Sequence, residues 1–290
     1  MKLPHILIAV GLTAIWGLNF VIIRFGLDHF PPLLFATLRF VFAGLPALVI
    51  PRPKIPFGRL VAISATLFVA QFGFLFPAMQ VGFPPGLASL TLQVQGFFTV
   101  ILAVLILGER PAWRNLAGLA VAFAGLAAIA STVGTGGVTL LGFVLMMFSA
   151  LGWATGNVIL RSSPKVDMFP LISWISAIAV VPLLVLSLIV EGPAADVTAL
   201  AHIDLAAVGS LAYIVILSTM LGFFVWAELL RRYPAGLVAT FTLLVPVSGT
   251  ISAYLILGES FGPLRLAGMV LILAGLAINT LPIERIWRRG

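Results

Sequence analysis

The chain has 290 residues, of which 61% are hydrophobic and only 9% charged, and its mean hydropathy is +1.21. A soluble domain would carry about a quarter charged residues, so this composition excludes one and indicates an integral membrane protein. The absence of cysteine excludes disulfides, thiolate metal sites and cysteine nucleophiles, and the formal net charge of +7 comes from basic residues at the ends of apolar runs, a pattern of membrane orientation and not of nucleic-acid binding.

Ten apolar runs follow one another, at 5–26, 33–50, 59–81, 86–107, 114–133, 138–160, 168–190, 205–229, 236–257 and 263–282. Most are near the roughly 20 residues a helix needs to cross a bilayer, and they lack the alternation of a barrel strand. They predict ten transmembrane helices, numbered here 1 to 10. Helix 1 is too long and too decorated, with Trp16 and Asn19 inside it, to read as a removed signal peptide. With the N-terminus in the cytoplasm, thirteen Lys and Arg fall in inside segments and only Arg24 and Arg265 outside. That asymmetry predicts that both termini lie in the cytoplasm.

Residues 105–109, Leu-Ile-Leu-Gly-Glu, recur letter for letter at 255–259. At the same offset of 150, Pro84 meets Pro234, Gly86 meets Gly236, and Leu116-Ala117-Gly118 meets Leu266-Ala267-Gly268. A second echo aligns Trp16 to Arg24 with Trp153 to Arg161 at an offset of 137. Five helices per unit is an odd number, so the halves, 1–134 and 135–290, are inverted relative to one another. Inverted repeats suit alternating access to a site near the midplane. The first half carries Gln95-Gly96 where the second has Val245-Pro246, so it has no proline to make a matching kink.

The Trp-Gly-x-Asn-Phe of helix 1, the Leu-Arg-Phe of helix 2, Pro246 before the Leu-Gly-Glu that ends at Glu259, and the Leu-Ala-Gly after each Gly-Glu resemble the EamA branch of the drug/metabolite transporter superfamily. Within it the chain looks most like YddG-type exporters of amino acids, especially aromatic ones. The resemblance implies an all-α fold of two inverted five-helix repeats and export or facilitated passage of small amphipathic metabolites. A multidrug or nucleoside exporter of the same fold is the alternative.

Several residues are candidates for a cavity wall. Ser149, Gly152, Trp153, Gly156 and Asn157 make one stripe of helix 6, either facing the cavity or packing closely on another helix. Trp16 and Trp153, as equivalents, are expected to face one central space with Asn19 nearby. Arg39 is the one charge well inside a run; it must reach a cavity, where it could attract a carboxylate, or snorkel and bond carbonyls. Gln93 and Gln95 lie about 200° apart on a regular helix, so only one can face the cavity, and Gln93, sharing a face with Phe97, is favoured. Thr219 and Trp226 on helix 8 and Thr242 on helix 9 complete the set, each with helix-to-helix bonding as the alternative. Pro77, Pro182 and Pro246 are hinge candidates or static kinks. Glu109 and Glu259 are read as structural, pairing with Arg114 and Arg265, and the small residues of helices 5 and 10, among them Gly118, Gly125, Gly268 and Gly275, as close packing.

No acid lies near the midplane, which points to a neutral or zwitterionic substrate without fixed-carboxylate proton coupling. His5, His29 and His202 sit at membrane edges without metal spacing, so neither a metal, a cofactor nor an intramembrane enzyme is expected. Expected partners are the small-molecule substrate and membrane lipids, not nucleic acid, in a monomer or homo-oligomer.

Overall fold

The computed structural model describes residues 1–108, 112–134, 138–164, 166–233, 237–238 and 240–280. Among the described residues, seven apolar helices are 18 residues or longer: Leu3–Leu27, Phe57–Gln80, Pro85–Leu107, Trp113–Ala130, Leu140–Arg161, Met168–Val190 and Leu205–Arg232. Three shorter ones, Pro32–Leu48, Phe241–Leu257 and Pro263–Ile278, bring the membrane helices to the expected number and order. The segment between helices 7 and 8, read from sequence as a loop, also holds a short helix, Pro193–Ala201. Glu109, expected to pair with Arg114, and Gly236 lie outside the described residues.

Local chemistry sets the ends of these helices. Helices 2, 4 and 10 begin on prolines, whose missing N–H is harmless in a first turn. Helices 4 and 9 both stop at the glycine of the repeated string, Gly108 at φ 65° and Gly258 at φ 66°, the left-handed geometry that glycine adopts without strain. Helix 2 gains a charged cap from a distant residue: the Glu191 carboxylate accepts from the Leu33 N–H at 2.7 Å and the Leu34 N–H at 3.0 Å, where an anion also meets the positive end of the helix dipole.

The halves are related element by element. Helix 1 packs on helices 8 and 9 as helix 6 packs on helices 3 and 4, while helix 2 pairs with helix 7 and helix 5 with helix 10. Glycines permit the closest approaches. A Cβ on Gly125 would lie 2.6 Å from the Gly268 carbonyl oxygen, and one on Gly275 would lie 2.5 Å from that of Gly118. The small-residue faces of helices 5 and 10 therefore meet backbone to backbone. Without a hydrophobic drive between helices in lipid, such contact and its dispersion energy supply the adhesion.

The helices are wound irregularly at matched places. Helix 3 is π-wound over Ala65–Ala70 and helix 8 over Tyr213–Leu221; shifting 65–70 by 150 lands within the second segment. Helix 4 breaks between Thr91 and Val94, with i→i−3 bonds from the Gln93, Gln95 and Gly96 N–H groups, and helix 9 has a 3₁₀ turn over Thr240–Leu243. The first half thus has the matching break without the proline. Pro246 sits in the first turn after its own 3₁₀ segment, whereas Pro77 and Pro182 lie inside continuous helical segments.

The helix 5–helix 10 seam predicts that Gly125→Leu lowers the melting temperature of detergent-solubilised protein, by the equivalent of about 1–3 kcal/mol or more for overpacking. Gly11→Leu, at a glycine with no neighbouring atom within 4 Å, should melt close to wild type in the same fluorescence assay.

Candidate functional site

A cavity of about 410 Å³ lies between the halves. Among the ten residues singled out from sequence, Trp16, Asn19, Arg39, Gln93, Trp153, Asn157, Trp226 and Thr242 line it, and Phe97 and Thr219 do not. The equivalent tryptophans of the two halves do share one space.

Trp16 is placed by helix 8. Its indole N–H donates to the Ser218 carbonyl at 3.0 Å, in the π-wound stretch where the regular ladder is loosened. A Cβ on Gly222 would fall 2.6 Å from the indole nitrogen, so only glycine leaves room for the ring. Trp16 also meets Trp226 and Phe223 at centroid distances of 5.4 and 6.2 Å, giving the cavity an aromatic wall.

Arg39 is buried at 3% exposure, so it does not snorkel. Its Nε donates to Thr219 Oγ1 at 3.0 Å, and that hydroxyl donates to the Ile214 carbonyl five residues back, at 2.7 Å. The π-turn thus aims Thr219 at the arginine. The guanidinium carbon stands 4.2 Å from the Phe72 ring centroid, a cation–π contact. Its Nη1 has no hydrogen-bond partner. Thr219 is a positioning residue behind the wall, not part of it.

The expectation that only one of Gln93 and Gln95 faces the cavity fails, since both line it. The reason is the break in helix 4: at about three residues per turn, two residues i and i+2 stand about 120° apart the short way, not about 160°. The same break upsets the phase linking 93 to 97. Phe97, 1% exposed, packs instead with Ala122 and Leu276. Gln71 and Phe72 also join the wall; Gln71 is one of the four amides that the sequence places in helices 3 and 4, of which Gln93 is the one favoured there, and no signal marks Phe72. The helix 6 stripe divides. Trp153 and Asn157 face the cavity, while Ser149 donates to the Gln71 carbonyl at 2.8 Å and Gly152 and Gly156 receive helix 3 at Ala70 and Leu67. No Asp, Glu, Lys or His stands among the described residues lining the cavity.

Toward the face opposite the start of helix 1, the halves touch. The Glu259 carboxylate accepts from the Gly86 N–H at 3.1 and 3.4 Å. A Cβ on Gly86 would meet Glu259, Phe261 and Ala253 within 2.9 Å, and one on Gly249 would meet Ser89 at 2.5 Å. This contact joins the two halves at that end. Glu259 was expected to pair across its own loop with Arg265; its hydrogen bonds to Gly86 cross between the halves instead. Arg265 donates to Thr132 Oγ1 at 3.2 Å and acts on Glu259 through its charge. Burial pushes the Glu259 carboxyl above its ordinary range, against the opposing pull of the Gly86 N–H and Arg265.

A cavity lined by rings, amides and one guanidinium, held between inverted helical repeats, defines a membrane transporter of small molecules. The chain belongs to the EamA-like transporter family, whose model matches residues 3–131 and 140–281. It is 41% identical over 278 residues to a probable amino-acid metabolite efflux pump of Salmonella typhimurium, covering 94% of this chain and 93% of that one. It is 40% identical over 289 residues to the Escherichia coli protein of the same description, covering 98% and 96%. A probable terminal-alkyne amino-acid exporter of Streptantibioticus cattleyicolor is 28% identical, covering 96% and 94%. One solved crystal structure, 20% identical, covers 96% of this chain and 97% of its own at a TM-score of 0.63, which shows the shared fold.

Glu259 makes a prediction about pH. Its raised native value means the folded protein keeps the proton to higher pH than the unfolded chain. Stability from this group is complete below the unfolded carboxylate range and is lost as pH rises through the native value. The melting temperature in detergent should therefore fall as pH rises through that window, and Glu259→Gln should flatten this part of the profile.

Proposed function

We propose that this protein exports amino acids and related zwitterionic metabolites, aromatic ones included, by alternating access in a bacterial inner membrane. Both termini lie in the cytoplasm, and 1–134 and 135–290 act as the two moving halves. The observation that carries this reading is Arg39. A charge at mid-membrane costs about 2.5–3.5 kcal/mol on insertion scales, and here Arg39 stands in the wall of a cavity with no carboxylate among the described lining residues, its Nη1 without a hydrogen-bond partner. A substrate carboxylate entering the cavity would supply the missing partner. The rings of Trp16, Trp153 and Trp226 suit a flat apolar side chain. The contact of Glu259 with Gly86 lies on the outer side in this orientation, and the lining residues Asn157, Trp226 and Thr242 lie toward the inner ends of their helices. That is the arrangement of a state waiting for cytoplasmic substrate. The names of the amino-acid efflux relatives agree with the chemistry of the wall. Pro246, beside the break in helix 9, is the favoured hinge.

The test is counterflow in proteoliposomes with labelled amino acids, nucleosides and drug cations. Amino acids should move, and Arg39→Ala should reduce their flux at least tenfold while the protein remains folded by size-exclusion profile. Movement of cations alone would overturn the substrate assignment. With no acid in the wall, amino-acid influx should leave a trapped pH dye unchanged, and substrate-driven proton flux would refute the uncoupled reading.

A further inference from the structure

The place of the Trp16 ring in the cavity wall is set by a missing side chain. Its indole lies against helix 8 at Gly222, where a Cβ would stand 2.6 Å from Nε1 and 3.3 Å from Cε2. Gly222 is the first residue after the π-wound stretch, and its N–H is bonded to the Leu217 and Thr219 carbonyls. The Ser218 carbonyl between them, which regular winding would give to that N–H, receives the indole N–H at 3.0 Å. One residue thus leaves both the space for the ring and the acceptor that holds it there.

Helix 1 is not free to back away and admit a larger residue at 222. One residue before the tryptophan, the Ile15 carbonyl accepts from the Tyr213 hydroxyl at 2.9 Å, which ties helix 1 to helix 8. One residue after it, Gly17 lies so close to helix 9 that a Cβ would stand 2.6 Å from the Gly249 nitrogen and 2.7 Å from the Val245 carbonyl oxygen. With the backbone held on both sides, the indole itself must yield. Ordinary contact needs about 3.5 Å between the ring and a new side chain, so the ring is displaced by about 1 Å. Phe223 and Trp226 of helix 8 stand beside it at centroid distances of 6.2 and 5.4 Å, and the cavity of about 410 Å³ adjoins it. Displacement away from helix 8 therefore takes space from the cavity. The residue matched to Gly222 in the first half is Phe72, whose ring stands 4.2 Å from the Arg39 guanidinium carbon. At this position one half holds a ring and the other makes room for one.

We propose that Gly222 sets the upper size of the substrate: by recessing Trp16 it keeps space for a ring-bearing side chain, and any larger residue there moves the indole into that space and leaves room for small side chains only. This rests on the amino-acid reading given above and adds to it the residue that decides between aromatic and small substrates. Gly222 is a positioning residue, since it acts through Trp16 and does not itself line the cavity.

The test is counterflow of labelled L-phenylalanine and L-alanine in proteoliposomes of the full chain. Gly222→Ala should lower the phenylalanine-to-alanine flux ratio by about tenfold or more, the discrimination an apolar pocket makes over about one methylene of space. Adding Trp16→Phe, which removes the nitrogen that a Cβ at 222 would meet, should return the ratio to within about threefold of that of Trp16→Phe alone. If alanine at 222 acts only by stiffening helix 8, both fluxes fall together and Trp16→Phe rescues neither. That result overturns the proposal, as does an unchanged ratio in folded Gly222→Ala, or a wild type that moves alanine and not phenylalanine. Should Gly222→Ala not fold by itself, the Trp16→Phe background decides. Gly222→Leu there, refilling the space the indole has left, should lower the ratio at least about threefold below that of Gly222→Ala. Equal ratios in those two folded variants overturn the proposal while leaving amino-acid export standing. If wild type moves neither amino acid while nucleosides or drug cations do move, the export reading itself fails and takes the proposal with it.

Discussion

In hydrocarbon a backbone N–H or C=O has no water to fall back on, so a helix can depart from regular winding only where protein or a cavity makes good the lost bonds. The central part of this structure follows that constraint. The π-wound stretch of helix 8 gives the Ser218 carbonyl to the Trp16 indole and the Thr219 hydroxyl to Arg39. The break in helix 4 brings Gln93 and Gln95 to one space, and the 3₁₀ turn of helix 9 presents the Thr242 carbonyl, which accepts from Gln93 Nε2 at 3.4 Å. Irregular backbone and functional side chains coincide because each requires the other: the cavity tolerates the irregularity, and the irregularity aims the side chains.

Arg39 shows how such a wall holds a charge. Its guanidinium stands over the Phe72 ring, Nε is bonded to Thr219, and Nη1 has no hydrogen-bond partner. Full satisfaction would make it a structural residue. Complete exposure to lipid would make it untenable. Partial satisfaction on a cavity leaves a charge that is oriented yet still able to bind, and preorganisation of this kind lowers the cost of ordering on binding.

Much of this was legible before any coordinates. Apolar run length reveals each helix, the Leu-Ile-Leu-Gly-Glu string reveals the duplication, and an odd helix number makes the duplication inverted. Trp16 and Trp153 could be placed together because they are repeat equivalents, and Arg39 because an intramembrane charge needs a reason. What escaped were departures from ideal helix geometry. A phase of 100° per residue misplaced Gln95 and Phe97, since the break at 92–93 carries no Pro or run of Gly to announce it. The π turns leave no mark in the composition. Glu259 could be recognised as structural, but its partner Gly86 is 173 residues away in sequence, and nothing local pointed across the halves.

Helices 2 and 7, and likewise 5 and 10, are each paired with their own repeat counterpart. When the halves trade conformations, a contact between an element and its own counterpart is carried onto itself, whereas a contact such as that between Gly86 and Glu259 is carried to a different pair of residues on the other side. The seam of helices 5 and 10 is therefore symmetric under the repeat, with Gly125 and Gly268 the counterparts of Gly275 and Gly118. Backbone meets backbone at both approaches, with Ile129 and Ala122 packed beside them, so the seam is its own repeat counterpart.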